Sequence, residues 1–216
     1  MRTYQYAIFD LDGTLLNTID DLTNSVNFAL SEMKYPKRST KEVASFVGNG
    51  VKMLMSRAVP PETARSDFEK TYALFRQHYP ENMNNKTQPY PEILPMLAAL
   101  KDMGIGVAIA SNKFQTGVEA LSTQYFPNLY IVAQGEDEGI APKPDPAIIC
   151  AVMKKLSAKA TDTLFIGDSD VDGDTAKNFG LDFLGVGWGL RDKSVLLQHG
   201  AIAVVDSPAE VVRYFK

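Results

Sequence analysis

Six short apolar runs divide the chain: Tyr6–Phe9, Ile105–Ala110, Leu129–Ala133, Thr163–Ile166, Phe183–Val186 and Ala201–Val205. All are strand-length, each is closed by polar or glycine residues, and several are β-branched or aromatic. From Ile105 onward, helical patterns fill most of the gaps, at Gly117–Tyr125, at Pro146–Leu156 and, more briefly, at Asp174–Phe179. Strand alternating with helix predicts an α/β fold with a doubly wound parallel sheet.

The first run breaks that rhythm. Ninety-five residues separate Phe9 from Ile105, too many for one crossover. Within the gap, Asp20–Met33 places Leu22, Val26, Ala29, Leu30 and Met33 at helical spacing, and Val51–Val59 and Glu62–Tyr79 continue in that style. Pro89, Pro91 and Pro95 punctuate the return, and Pro91–Leu100 reads as a helix feeding the second strand. The expected organisation is a sheet domain of residues 1–14 and 84–216 with a helical insert of residues 15–83. The linkers near Leu15–Asn17 and Met83–Pro89 are candidate hinges.

Composition narrows the function classes. With 22 Lys+Arg against 26 Asp+Glu the net charge is -4, which argues against a duplex-binding protein and its usual basic stripe. A single cysteine, Cys150, excludes an internal disulfide, and its apolar surroundings read as a buried helix face. No apolar run approaches the roughly 20 residues of a membrane span, and the N-terminus reaches Asp10 too soon for a signal peptide. A cytoplasmic protein with no nucleic-acid or membrane partner, monomeric or homodimeric, is the expectation.

Ligands of open parallel sheets bind beyond the carboxyl ends of the strands. Asp10-Leu-Asp12-Gly13-Thr14 follows the first run, Ser111-Asn112-Lys113 the second, and Gly167-Asp168-Ser-Asp170-Val-Asp172-Gly-Asp174 the fourth. Pro142-Lys143-Pro-Asp-Pro146 precedes a predicted helix. Taken singly, each has an ordinary explanation: an Asp-x-Asp-Gly turn, a helix cap, a proline-stiffened loop. Together they converge on one sheet edge. Crowded carboxylates there would be costly without a hard cation such as Mg²⁺, and a lysine and a serine among them suit an anion. Metal, anion and a spare carboxylate form a phosphoryl-transfer constellation.

Rival motifs fail on particular residues. Asp168–Gly173 matches the start of a calcium-binding EF-hand loop, but its twelfth position is Phe179 where a bidentate Glu is required. Gly185-Val-Gly-Trp-Gly189 lacks the last glycine of the dinucleotide fingerprint, and no Gly-rich loop ends in Gly-Lys-Ser/Thr. His78 and His199 lack zinc-ligand spacing, and Trp188 reads as packing. Arg57, Lys52 and Lys113 read as solvated cations.

The four segments, in this order, resemble the motifs of the haloacid dehalogenase superfamily. The helical insert resembles the cap domain of many members, over a Rossmann-like core. Phe46-Val-Gly-Asn-Gly-Val51, Gly185–Gly189 and Val204-Val-Asp-Ser-Pro208 are similar to the phosphoglycolate phosphatase branch. The resemblance implies a Mg²⁺-dependent phosphatase of a small phosphate monoester, phosphoglycolate first. Phosphatases of sugar phosphates, nucleotides or pyrophosphate, and phosphosugar mutases, are the alternatives. It implies Asp10 as nucleophile, Asp12 as general acid and base, and Ser111 and Lys143 on the phosphoryl oxygens with Asn112 beside them. Asp10, the Asp12 carbonyl and Asp168 would ligate the metal, with Asp172 supporting that shell.

Overall fold

The computed structural model describes residues 4–215; Met1–Thr3 and Lys216, at the ends of the expected sheet domain, lie outside the described residues. The strands are β1 (Tyr6–Phe9), β2 (Leu16–Asn17), β3 (Gln88–Pro89), β4 (Gly106–Phe114), β5 (Val132–Glu136), β6 (Thr163–Gly167), β7 (Asp182–Val186) and β8 (Ala201–Val205). The helices are α1 (Ile19–Glu32), α2 (Thr40–Phe46), α3 (Gly50–Ala58), α4 (Arg65–Asn82), α5 (Ile93–Asp102), α6 (Gln115–Tyr125), α7 (Ala147–Leu156), α8 (Asp170–Phe179), α9 (Lys193–Gln198) and α10 (Pro208–Val212).

Six strands form one parallel sheet in the order β5-β4-β1-β6-β7-β8. The order grows outward from β1 in both directions, so the direction of winding reverses between β1 and β6. That switch point opens a crevice at the carboxyl ends of those strands. Both faces of the sheet are covered, as a parallel sheet requires. Ala7, Phe9, Val107, Ile109, Leu164 and Ile166 pack toward α5, α6 and α10. The alternate residues Ile8, Ala108, Ala110, Phe165 and Phe183 pack against α7, α8 and α9. This period-2 division explains why the central runs are apolar throughout.

Two details depart from the sequence reading. The strand expected at Leu129–Ala133 starts at Val132, because its pairing with β4 begins there. Cys150 is exposed. Ile148, Ile149, Val152, Met153 and Leu156 form the buried face of α7, and Cys150 falls on the opposite side at helical spacing.

Helices α1–α4 occupy the chain between β2 and β3. Val26, Ala29 and Leu30 of α1, Val43 of α2, Leu54 and Met55 of α3 and Phe75 of α4 are buried in the same continuous cluster as one sheet face. The outgoing and returning chains run side by side as a two-stranded antiparallel ribbon, Leu16 opposite Pro89 and Asn17 opposite Gln88. Asp21, buried at the start of α1, fastens this junction. Its Oδ2 accepts the backbone N–H groups of Lys86 and Thr87, both at 2.8 Å. Asp21→Ala leaves both donors without that partner and is expected to lower unfolding stability by about 1–3 kcal/mol, read as a lower urea midpoint.

Candidate active site

The expected site segments meet at the switch point. Asp10 follows β1 directly, and its backbone N–H donates to the Ile166 carbonyl of β6 at 2.9 Å. Asp168 follows β6. Gly13 turns the chain after Asp12 with φ +93°, and a Cβ there would stand 2.4 Å from Asp168 Oδ2. Gly189 closes on Asp168 from the β7–α9 loop, where a Cβ would stand 2.2 Å from the Asp168 Cβ. Thr14 Oγ1 donates to Asp168 Oδ1 at 3.0 Å and the Leu190 N–H to Oδ2 at 2.7 Å, so this carboxylate has one orientation.

Asp172 owes its place to helix capping. Ser169 caps α8, its Oγ accepting the Asp172 N–H, while Asp172 Oδ2 accepts from the Ser169 N–H and Oγ in a reciprocal box. The helix therefore begins at Asp170, four residues before the sequence pattern suggested. The remaining oxygen, Oδ1, receives Lys143 Nζ at 2.7 Å.

Lys143 is 3% exposed and also donates to Asp10 Oδ1 at 2.8 Å and the Ala110 carbonyl at 3.1 Å. Its backbone is held by Asn112, whose Oδ1 accepts the Lys143 N–H at 2.7 Å and whose Nδ2 donates to the Lys143 carbonyl at 2.8 Å. The same Nδ2 reaches the Gly48 carbonyl at 2.8 Å. Asn112, expected on the substrate, thus spends its amide positioning Lys143. Ser111 is buried beside it and lines the cavity.

Electrostatics at this point is lopsided. Carboxylate oxygens of Asp10, Asp168 and Asp172 lie within 4.8 Å of one another. One ammonium, Lys143, faces two of them. Burial pushes Asp10 well above its ordinary range, against the pull of Lys143. Burial, with Asp172 nearby, pushes Asp168 up to about 7. For Lys143, burial pulls down, but Asp10 and Asp172 outweigh it and its pKa rises. Three acidic oxygens around surplus negative charge suit a hard divalent cation, which keeps several waters and takes few carboxylates.

The raised carboxylates set a pH dependence. The folded protein holds the Asp168 proton up to about pH 7, whereas an ordinary Asp releases it near 3.8. Across that window the folded state binds more protons than the unfolded one, so metal-free stability falls as pH rises from about 4 to about 7. Cation binding needs the ionised forms. A divalent cation is therefore expected to raise the thermal midpoint more at about pH 8 than at about pH 5; an equal or larger rise at the lower pH would contradict this.

Asp12 lines the same cavity as this cluster. Lys113 Nζ contacts its Oδ1 at 3.1 Å and Oδ2 at 3.3 Å, and donates to Tyr79 Oη at 2.5 Å. Lys113, expected to be solvated, is 3% exposed. Burial pulls its pKa down, but Asp12 and the Tyr79 oxygen more than offset that and raise it. Burial likewise pushes Tyr79 up to about 12.

The cavity among these groups measures about 50 Å³, room for a few water-sized groups. Leu22, Val47, Val51 and Leu54 give it an apolar wall on the side of the helical insert. Arg191, which the sequence reading did not single out, also lines it. Its Nε pairs with Asp170 Oδ1 at 3.0 Å, and its other nitrogens donate to the carbonyls of Ala44 and Val47, tying the end of α2 to the β7–α9 loop. Asp170 and Asp174 are both partnered, the latter by His199 Nδ1 at 2.8 Å. Trp188 donates Nε1–H to the Thr14 carbonyl at 3.0 Å. Among the described residues, no helix is long and apolar enough to cross a membrane.

Comparison with known proteins agrees with this geometry. Residues 7–186 match the family model described as haloacid dehalogenase-like hydrolase. A phosphoglycolate phosphatase of Mesorhizobium japonicum is 31% identical over 196 residues, covering 87% of this chain and 85% of that protein. One from Vibrio parahaemolyticus is 31% identical over 211 residues, 94% of this chain and 92% of that protein. The crystal structure of a protein from Lactobacillus delbrueckii subsp. bulgaricus, provisionally named a phosphoglycolate phosphatase, superposes with a TM-score of 0.94 at 29% identity over 99% of each chain. With the parallel sheet, the acidic switch point and a family match over most of its length, the chain belongs to the haloacid dehalogenase-like hydrolases and is a hydrolytic enzyme.

Proposed function

We propose that this enzyme is a Mg²⁺-dependent phosphatase that hydrolyses a small phosphate monoester through a phosphorylated Asp10, with 2-phosphoglycolate as substrate. The observation that carries the reading is the buried cluster in which Lys143 bridges Asp10 and Asp172 beside Asp168, with Asp12 lining the same cavity. The names of the relatives at about 31% identity support the choice of ester.

In this reading Asp10 attacks phosphorus, and the bond to the alcohol oxygen breaks as Asp12 gives that oxygen a proton. Asp12 then takes a proton from water, the water oxygen attacks phosphorus, and Asp10 leaves as carboxylate. Lys143 and the Ser111 hydroxyl hold the equatorial oxygens, where charge spreads in the transition state. Asp10, the Asp12 carbonyl and Asp168 would hold the cation, with Asp172 fixing Lys143 and the outer shell. Bound there, Mg²⁺ supplies charge neutralisation for the phosphoryl group and keeps Asp10 ionised. Thr14, Gly13 and Gly189 hold Asp168 to one pose, and Asn112 holds Lys143.

Residues 15–83 act as a cap over a core of residues 1–14 and 84–216, with the β2–β3 ribbon as hinge. The Arg191 contacts to Ala44 and Val47 and the Asn112 contact to Gly48 favour a closed cap, which excludes water from the aspartyl phosphate.

Phosphate release from 2-phosphoglycolate, sugar phosphates, nucleotides and pyrophosphate, with Mg²⁺ and with chelator, tests this. Chelator-sensitive release with 2-phosphoglycolate preferred is expected. Preference for another ester would overturn the substrate, and absence of release from every ester would overturn the phosphatase reading.

A further inference from the structure

We propose that Lys113 selects phosphate esters whose alcohol carries a carboxylate close to the ester oxygen, and that Tyr79 positions it for that task. This rests on the phosphatase reading above. Three cations line the cavity: Lys113, Lys143 and Arg191. Lys143 lies against Asp10, Asp172 and the Ala110 carbonyl, and in the phosphatase reading it serves the first anion, the phosphoryl group. Arg191 is spent on Asp170 and on the Ala44 and Val47 carbonyls at the end of α2. The other cations the sequence offered stand elsewhere. Arg57 donates to the Phe46 carbonyl and Asn49 Oδ1, and the Lys52 side chain is 66% exposed opposite Glu69. Recognition of a second anion in this cavity therefore falls to Lys113.

Its setting suits the role. An ammonium has three N–H donors. Tyr79 Oη takes one, and the near-equal 3.1 and 3.3 Å distances to Asp12 are compatible with one shared N–H. That leaves a donor for a ligand oxygen. The Tyr79 ring lies 4.6 Å from Nζ, and its hydroxyl fixes the end of an otherwise flexible side chain. A lysine held this way has already lost its rotamer freedom and binds an anion without that entropy cost. Lys113 stands two residues beyond Ser111 on β4, and both line the same small cavity. With Ser111 on the phosphoryl group, an anion met by Lys113 in that cavity belongs to a short alcohol. The apolar wall of Leu22, Val47, Val51 and Leu54 adds no competing cation.

The test compares kcat/KM for 2-phosphoglycolate with that for 2-hydroxyethyl phosphate, which replaces the carboxylate by a neutral hydroxymethyl group. The ratio cancels any damage to Asp12 that both esters share. The wild type is expected to favour 2-phosphoglycolate by about 10- to 100-fold, and Lys113→Gln to bring the ratio to within about threefold of one. Lys113→Arg, which keeps the charge, is expected to retain part of the preference. Tyr79→Phe, which keeps the ring, is expected to lower the ratio chiefly through KM, and it carries the test should Lys113→Gln fail to fold. A wild-type ratio near one, or a ratio unchanged in Lys113→Gln or in Tyr79→Phe, overturns the proposal while leaving the phosphatase reading intact. Absence of phosphate release from both of these esters and from the wider panel overturns that reading itself.

Discussion

Replacing Asp10 with asparagine is expected to lower phosphate release by on the order of 10⁴-fold or more, because in the proposed mechanism it removes the nucleophile itself. The same change is expected to raise the melting temperature of the metal-free protein. Burial already pushes the Asp10 carboxyl upward, so its ionised form is held at a cost to the fold. Asparagine has nearly the same shape and no charge. Lys143 keeps Asp172 at 2.7 Å and the Ala110 carbonyl at 3.1 Å, so it is not stranded. Activity lost with stability gained is the mark of a residue placed for chemistry against the interest of the fold. Thermal unfolding in chelator and a phosphate assay in Mg²⁺ give the two readouts. A folded Asp10→Asn protein with turnover near wild type would remove Asp10 from the mechanism.

Lys143→Met is expected to harm both properties. It removes the ammonium from between Asp10 and Asp172, two carboxylates in the interior. Breaking a buried ion pair from one side costs about 3–5 kcal/mol, because the remaining charge is uncompensated. In the proposed mechanism the substitution also removes a charge-stabilising donor to the phosphoryl oxygens, which is expected to lower kcat by about 10²- to 10³-fold. Adding Asp10→Asn to Lys143→Met should return part of the lost stability, since one stranded carboxylate disappears, but none of the activity. Urea unfolding of the two single variants and the double variant measures that coupling. Strict additivity of the three would mean that the two side chains do not act on each other.

The contrast shows which parts of the site were open to sequence reasoning. Asp10 and Asp168 were legible because each directly follows an apolar run, and the topology of a parallel sheet brings such ends together. Asp172 was legible only as a member of a motif. Its fixed pose comes from the Ser169 capping box, whose spacing can be read from sequence once α8 is started at Asp170. Lys113 was legible in its place beyond the second run, but its burial was not. Its partners Asp12 and Tyr79 are 101 and 34 residues away, and a lysine in a polar stretch gives no sign of burial. Arg191 was hidden for the same reason, since Ala44 and Val47 stand 147 and 144 residues from it.

The fold was legible in its order but less so at its margins. Runs buried on both faces, such as Thr163–Ile166, declared themselves as strands. The edge strand β5 was legible with shifted bounds, because Leu129 and Tyr130 are apolar for packing against the core and the pairing with β4 starts only at Val132. Cys150 has apolar neighbours in sequence but lies on the exposed side of α7, because helical angle and not sequence proximity sets the buried face. The five buried residues of α7 define a face that excludes it.

The central claim is that Asp10 carries the phosphoryl group. Wild-type protein turning over 2-phosphoglycolate in Mg²⁺ can be quenched in acid, reduced with borohydride and digested for peptide mass spectrometry. Borohydride converts an acyl phosphate of aspartate to homoserine. The account predicts homoserine at position 10, dependent on substrate and on Mg²⁺. Active protein that yields unmodified Asp10 under those conditions, with the modification at another carboxylate, would contradict it.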